Sequence, residues 1–472
     1  LTLGPSLIAW KTDERRIGVL GPGWSGKTVF LTSLINHLSS HDPRHFHLGK
    51  DKMAEIRKFR RLPEDRIKGA HHEGASWPAF EYDQFRERLV HRRWPKKTSD
   101  CSQYVCRFER TDWKITDLIL KLYDLPGERI NDLAMVRKDS NTFETWSDTF
   151  IRRINRDIGY ADRFEAYFKR LDDPNLTEED LLRSYKVTLG QLRLAYKPYI
   201  SPSTYLLDRK GEVCRGRDPE KLAEERYVGL GPKEEFAPLP KEAREKHGKI
   251  ARLFAERFEI YRDDVVAPLI DTLQSCHGLV ILVDVLRILA SDTGTHDDYE
   301  ELLRDMLHSL NPSEDLLHRG VRIISKALLP HQWRPSWINR IAFVAPKADL
   351  VHPEDRNRLK HLLRKMTERY ALDLDGVKSN YFNVAAVRAT EAVPGQEAKR
   401  MLAGATMLDA EGRPIDPGER QKFVVSPLPD EWPRQWKVGD FVFPSVYPEI
   451  PQRKGCPPDQ FGLDAVFDFL CY

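Results

Sequence analysis

The stretch Gly21-Pro-Gly-Trp-Ser-Gly-Lys-Thr28 has the residue types and spacing GxxxxGK[ST]. Glycines at 21, 23 and 26 let a backbone curl until successive N–H groups converge on an anion. A lysine then follows to neutralise that anion, and a hydroxyl to ligate a divalent cation. The chemistry these residues allow is the holding of a polyphosphate. Lys27 is expected on the β- and γ-phosphates and Thr28 on Mg2+, with Gly21, Gly23, Trp24, Ser25, Gly26 and Val29 forming the cradle. A side chain at Gly23 would crowd the γ-phosphate, and a helix beginning here would aim the positive end of its dipole at the anion.

Two further stretches carry chemistry that a phosphate cradle needs. Asp124-Leu-Pro-Gly-Glu128 has the form DxxG. Its aspartate is placed to hold Mg2+ through water, and the Gly127 N–H to sense whether a γ-phosphate is present. Pro346-Lys-Ala-Asp349 follows a short apolar run, as an NKxD base loop would. A carboxylate there accepts hydrogen bonds from guanine N1–H and its exocyclic amine, a pair that adenine does not offer, while Lys347 lays its stem along the base. Ala386 and Val387, after the last apolar run, supply backbone groups for guanine O6.

The elements that must position these residues are legible in the apolar pattern. Arg16 to Gly21 reads as a strand, and Phe30, Leu31, Leu34, Ile35 and Leu38 repeat at helical spacing, so the glycine-rich loop joins strand to helix. Residues 103–110 and 115–123 alternate around a turn at 111–114, predicting an antiparallel hairpin that delivers Asp124. Apolar runs at 278–285, 341–345 and 380–384, with helical segments between them, predict parallel strands buried on both faces. The fold class expected is therefore α/β, a P-loop NTPase with a mixed, mostly parallel sheet flanked by helices.

The order of these motifs resembles that of Ras-like and translation-factor GTPases, and more closely the YcjX-like family of bacterial P-loop proteins. Gly26-Lys-Thr-Val-Phe-Leu-Thr-Ser-Leu34, Trp94-Pro-Lys-Lys-Thr98, Tyr123-Asp-Leu-Pro-Gly-Glu128, Val283-Asp-Val-Leu286 and Lys347-Ala-Asp349 carry that likeness. It implies a cytoplasmic, stress-associated nucleoside triphosphatase that uses Mg2+ and cycles between GTP and GDP. Thr98 is then the switch threonine that closes on Mg2+, and Glu128 stands where Ras-like proteins carry a water-orienting glutamine. Arg92, Arg93, Lys96 and Lys97 are the candidates for a transition-state cation in cis. Pro346 replaces the asparagine or threonine whose side chain ties the base loop to the phosphate loop in that class, and proline has no such donor.

Length and composition bound what surrounds the site. At 472 residues the chain is expected to form more than one domain. The expected division is a discontinuous nucleotide domain (14–40, 98–130 and 274–400), an insertion leading to the switch (41–97), an all-helical insert (131–273) and a smaller α+β extension (401–472). A net charge of +3, from 75 basic and 72 acidic residues, gives no global signature for DNA or RNA, and none is expected as a partner. Bases and aromatics interleave between 57 and 97, which reads as a solvated face beside a packed cluster. Histidines 41, 45, 47, 71 and 72 match no metal-ligand spacing and read as surface residues. Six scattered cysteines form no framework and suggest reduced thiols.

No run is long enough for a membrane span. The chain opens on Leu1 rather than Met, and its patch of Leu3, Leu7, Ile8 and Trp10 fits a docking helix as well as a ragged terminus. Peripheral association with the inner membrane is thus compatible with the sequence. Three function classes stay open: a GTPase switch whose helical insert meets a protein effector, an ATPase or small-molecule kinase on the same loop, and a nucleotide-stabilised scaffold.

Overall fold

A computed structural model describes residues 12–62, 77–96, 101–112, 117–137, 140–156, 158–194, 235–310, 338–372, 376–395, 397–407, 419–449 and 456–471. A seven-stranded sheet lies at its centre. The strands are β1 (Thr12–Leu20), β2 (Ile56–Arg61), β3 (Ser102–Arg110), β4 (Asp117–Asp124), β5 (Gly278–Leu282), β6 (Arg340–Ala345) and β7 (Lys378–Asn383), in the spatial order β2-β3-β4-β1-β5-β6-β7. Five of them, β4, β1, β5, β6 and β7, run parallel to their neighbours, whereas β3 pairs antiparallel with β4 and β2 antiparallel with β3. All five residues of β5 are buried, as an apolar strand covered on both faces must be.

Alternation along the strands divides the interior in two. Val280, Leu282, Ala342 and Val344 point into a core made with α1 (Lys27–Ser39), α2 (Tyr82–Val90) and a closing helix at Leu463–Cys471. Leu279, Ile281, Ile341 and Phe343 point the other way. There they meet the helices that follow β4, beginning with a 3-10 segment at Gly127–Val136. These are α3 (Phe143–Ile154), α4 (Ile158–Arg170), α5 (Glu178–Leu194), α6 (Lys241–Lys246), α7 (Gly248–Tyr261) and α8 (Ala267–Gln274). Trp146 stacks on Phe150 and meets Phe236 edge-on, so these helices are knit by aromatic contacts. A Thr142–Thr145 capping box starts α3.

After β5 come α9 (Val285–Leu289) and α10 (Thr293–Leu310), and after β6 comes α11 (Arg356–Leu372). Three short strands, β8 (Thr390–Ala392), β9 (Met401–Gly404) and β10 (Gln421–Val424), make a separate antiparallel sheet before α12, the closing helix Leu463–Cys471.

Two local expectations change. The apolar run 278–285 is a strand only as far as Leu282, because the Asp284 side chain accepts the Arg287 N–H at 3.2 Å and caps α9. Within 41–97, the basic cluster at 57–61 forms the edge strand β2, whose Arg57 and Lys58 pair with Glu55 and Glu109. A register shift between Arg57 and Arg60 and this row of charges both discourage further strand pairing at the edge.

Cys101, Cys106, Cys276, Cys456 and Cys471 are free thiols. His41 bonds the Phe46 carbonyl, and His47 pairs with Asp464. Residues 1–11, Lys97, Thr98, His71, His72, Cys214 and the turn at 412–418 lie outside the described residues. Among the described residues, no helix is long and apolar enough to cross a membrane.

One buried histidine couples the phosphate-loop helix to the late part of the chain. His37 of α1 stacks on Phe46 at 5.1 Å, and its Nε2 lies 3.0 Å from the Pro458 carbonyl. Burial holds its pKa down at about 4, against the weaker opposing pull of that carbonyl. A depressed pKa contributes stability that is fully present above the unfolded value near 6.5 and is lost as pH falls towards 4. Within that window the native state should lose about 1.4 kcal/mol per pH unit through this group. Thermal unfolding from pH 7 down to pH 4.5 checks it: His37→Gln should flatten the dependence, and an unchanged slope in that variant contradicts it.

Candidate nucleotide site

The glycine-rich loop spans the gap between Leu20, the last residue of β1, and Lys27, the first of α1. Gly26 takes φ 90°, a left-handed conformation that costs glycine nothing, and Trp24 takes φ 71° with its ring exposed. Lys27 is 6% exposed, and its ammonium donates to the carbonyls of Gly21 at 2.6 Å and Pro22 at 3.1 Å. No acidic residue stands in the first turn of α1, so its positive end is left for an anion. Ser25 Oγ is buried and has no hydrogen-bond partner among the described residues, an orphaned polar atom inside the loop.

The DxxG segment closes on this loop from β4. Asp124 is 1% exposed and sits opposite Val19 in the β1–β4 ladder. Gly127 lies directly against the loop: a Cβ added there would stand 2.2 Å from the Gly23 nitrogen and 2.3 Å from the Pro22 carbonyl carbon. Glu128 hangs over the same spot, its Oε1 2.6 Å from where a Cβ on Gly23 would be. The carboxylate expected to position water therefore faces Gly23 of the glycine-rich loop.

Loops after β5, β6 and β7 meet on the other side. Lys347 adopts φ 62° and donates to the fully buried Asp284 at 2.5 Å. Asp349 is 6% exposed, and one carboxylate oxygen accepts the Ala389 N–H at 2.8 Å. Burial pushes its pKa up, opposed by that bond, by its own backbone N–H and by the charges of Arg356 and Arg388. Ser33 of α1 donates to the Ala386 carbonyl, and the Ala348 N–H donates to Val384. The loop after β6 is thus tied to Asp284 through Lys347, and α1 to the loop after β7 through Ser33 and Ala386.

Many of these parts line one cavity of about 590 Å3, within the size range of small-molecule sites, whereas Gly21, Ser25, Asp124 and Glu128 are not among its lining residues. It runs from Gly23, Trp24, Gly26, Lys27, Thr28 and Val29 past Gly127 to Lys347, Asp349, Ala386 and Val387. Thr98, outside the described residues, has no place in this description, while Trp94 and Lys96 line the cavity. Arg93 is exposed, and Arg92 lies near Glu449. Three contributions receive no role from the sequence alone: Asp284, although it lies within Val283-Asp-Val-Leu286, Arg287, and a roof made by Met407 and Phe443 to Val446. The Trp94 indole N–H donates to the Val446 carbonyl at 2.7 Å, so the roof is fastened to the segment leading into residue 98. The Trp94-Pro-Lys stretch is the one signal in the sequence that could have found this cover.

A glycine-rich loop between β1 and α1, with DxxG after β4 and Lys347-Ala-Asp349 after β6 of a mostly parallel sheet, defines a P-loop NTPase fold of the Ras-like type. Residues 15–472 match the YcjX-like family, DUF463, and the chain belongs to that family. A similar protein is the "Ras-like GTPase YcjX" of Escherichia coli (strain K12), 24% identical over 497 aligned positions that cover 96% of this chain and 94% of that one.

Proposed function

We propose that this protein binds guanine nucleotides and hydrolyses GTP to GDP and phosphate in a Mg2+-dependent reaction, acting as a slow molecular switch in a bacterial stress response. The observation that carries the reading is the single cavity in which Lys27, Gly127 and Asp349 all take part. Its supports are the family and the relative named as a GTPase.

In this mechanism Lys27 exchanges the carbonyls of Gly21 and Pro22 for phosphate oxygens, and the amides of Gly23 to Thr28 take the remaining charge. Thr28 and Asp124 would hold Mg2+, since a hydroxyl and a carboxylate are the hard oxygen donors that ion prefers. The metal supplies charge neutralisation across the phosphates. Gly127 presents its N–H to the γ-phosphate, and Glu128 holds the attacking water beside Gly23. An unaided reaction of this kind runs at about 10⁻⁴ to 10⁻² per second.

Readout is assigned to helices α3 to α8, the surface for a protein effector. The 3-10 segment that senses the phosphate reaches them directly: Arg129 donates to the Tyr261 hydroxyl of α7 at 2.7 Å, and that hydroxyl donates to Asp132 at 2.6 Å. The setting proposed is cytoplasmic, with peripheral contact at the inner membrane.

Base choice is tested at Asp349. Asp349→Asn should reduce GTP affinity at least tenfold and favour xanthine nucleotides, because an amide reverses one hydrogen bond to the base. Competition of GTP and XTP against fluorescent GDP measures it, and undiminished competition by GTP removes Asp349 from base recognition. Binding of ADP as tight as GDP in the wild type would favour the ATPase or kinase alternative. Binding without phosphate release, indistinguishable from a Lys27→Ala control, would favour the scaffold.

A further inference from the structure

We propose that Arg287 is a catalytic residue of this site, a cation built into the chain that contacts the γ-phosphoryl group during hydrolysis; the assignment rests on the GTP-hydrolysing reading above. Arg287 lies on α9, immediately after β5, far in sequence from the basic cluster at 92–97. The Asp284 cap fixes its backbone N–H at 3.2 Å and so sets the turn from which its side chain leaves. That side chain enters the nucleotide cavity, where Nη1 donates to the carbonyl of Gly23 at 3.2 Å.

Charge bookkeeping around it points to an anion. Arg287 is half-buried, yet among the described residues its guanidinium makes no ion pair. Asp284, the nearby acid that caps its helix, is paired with Lys347 instead. A neutral carbonyl compensates a partly desolvated guanidinium poorly, whereas phosphate oxygens compensate it well and match its fork. Gly23 is flanked by Arg287 on its carbonyl side and by Glu128 over its Cα. The pair brackets the place where the terminal phosphate arrives. Glu128 alone would repel that phosphate. Arg287 offsets that repulsion while the carboxylate orients water.

The step then reads as follows in atoms. A water oxygen forms a bond to the γ-phosphorus while the bond from that phosphorus to the β–γ bridging oxygen breaks, its electron pair remaining on the GDP β-phosphate. One water proton stays on the released hydrogen phosphate and the other passes to solvent. Negative charge grows on the bridging and γ-oxygens, where the guanidinium N–H groups strengthen their hold.

The test compares wild type, Arg287→Ala and Arg287→Lys in single-turnover GTP hydrolysis, in binding of fluorescent GDP, and in capture of aluminium fluoride by the Mg2+·GDP complex. Arg287→Ala should slow hydrolysis about a thousandfold, hold GDP affinity within about threefold, and lose aluminium fluoride capture. Arg287→Lys should recover part of the rate, keeping the charge but not the fork. Hydrolysis by Arg287→Ala at the wild-type rate overturns the assignment alone. So does a rate loss matched by an equal loss of GDP affinity, since that describes a brace for the loop. A wild type that binds GTP and releases no phosphate overturns the hydrolysis reading, and this assignment with it.

Discussion

Replacing Lys27 with alanine should weaken GDP and GTP binding by about three orders of magnitude. The ammonium is almost fully buried beneath the loop, held by two carbonyls and facing the cavity. A unit charge at 4 Å from a phosphate oxygen contributes about 4 kcal/mol at the effective dielectric of such a site, which is the affinity difference expected. The loss should fall on binding more than on the unliganded fold, where the ammonium is held within its own loop by the carbonyls of Gly21 and Pro22. Titration with fluorescent GDP beside a thermal melt separates the two effects. A dissociation constant within tenfold of wild type would show that Lys27 does not hold the phosphates.

Gly127→Ala is the second large effect, and it should fall on turnover. The added methyl would lie 2.2 Å from the Gly23 nitrogen and 2.3 Å from the Pro22 carbonyl carbon, and both are backbone atoms that cannot rotate away. The whole 3-10 segment must then withdraw from the phosphate loop and carry Glu128 with it. Phosphate release should drop a hundredfold or more, while GDP, held by Lys27, Asp349 and the roof, should bind within a few-fold of wild type. Steric overlap of this kind also lowers stability by about 1–3 kcal/mol. Phosphate release at the wild-type rate would mean that Gly127 does not need its close approach.

Sequence and structure part company at identifiable places. The strand before the phosphate loop, α1 and the β3–β4 hairpin are legible because each repeats its apolar residues at period two or 3.6, and β5 and β6 because they are continuous apolar runs buried on both faces. β2 is not legible, since an edge strand broken by a register shift and rich in paired charges shows no period-two face. The start of α9 is hidden by Val283 and Val285, which extend the apolar run of β5. Only the Asp284 side chain, by accepting a backbone N–H, turns that run into a helix. Lys27, Gly127 and Asp349 can be picked out by local motif. Arg287 and the roof cannot, because the motifs beside them say nothing of which cavity they reach. They meet the cavity only through the packing of distant loops.

The roof also orders events in time during synthesis. Every other residue lining the cavity, from Gly23 to Met407, precedes Phe443 to Val446 in the chain. A ribosome therefore makes the glycine-rich loop, Gly127 and Asp349 before the residues that cover the cavity. The bond from Trp94 to Val446 joins an early segment to a late one. The cover is thus the last part of the cavity's lining to be made, and it is anchored to a segment made 352 residues earlier.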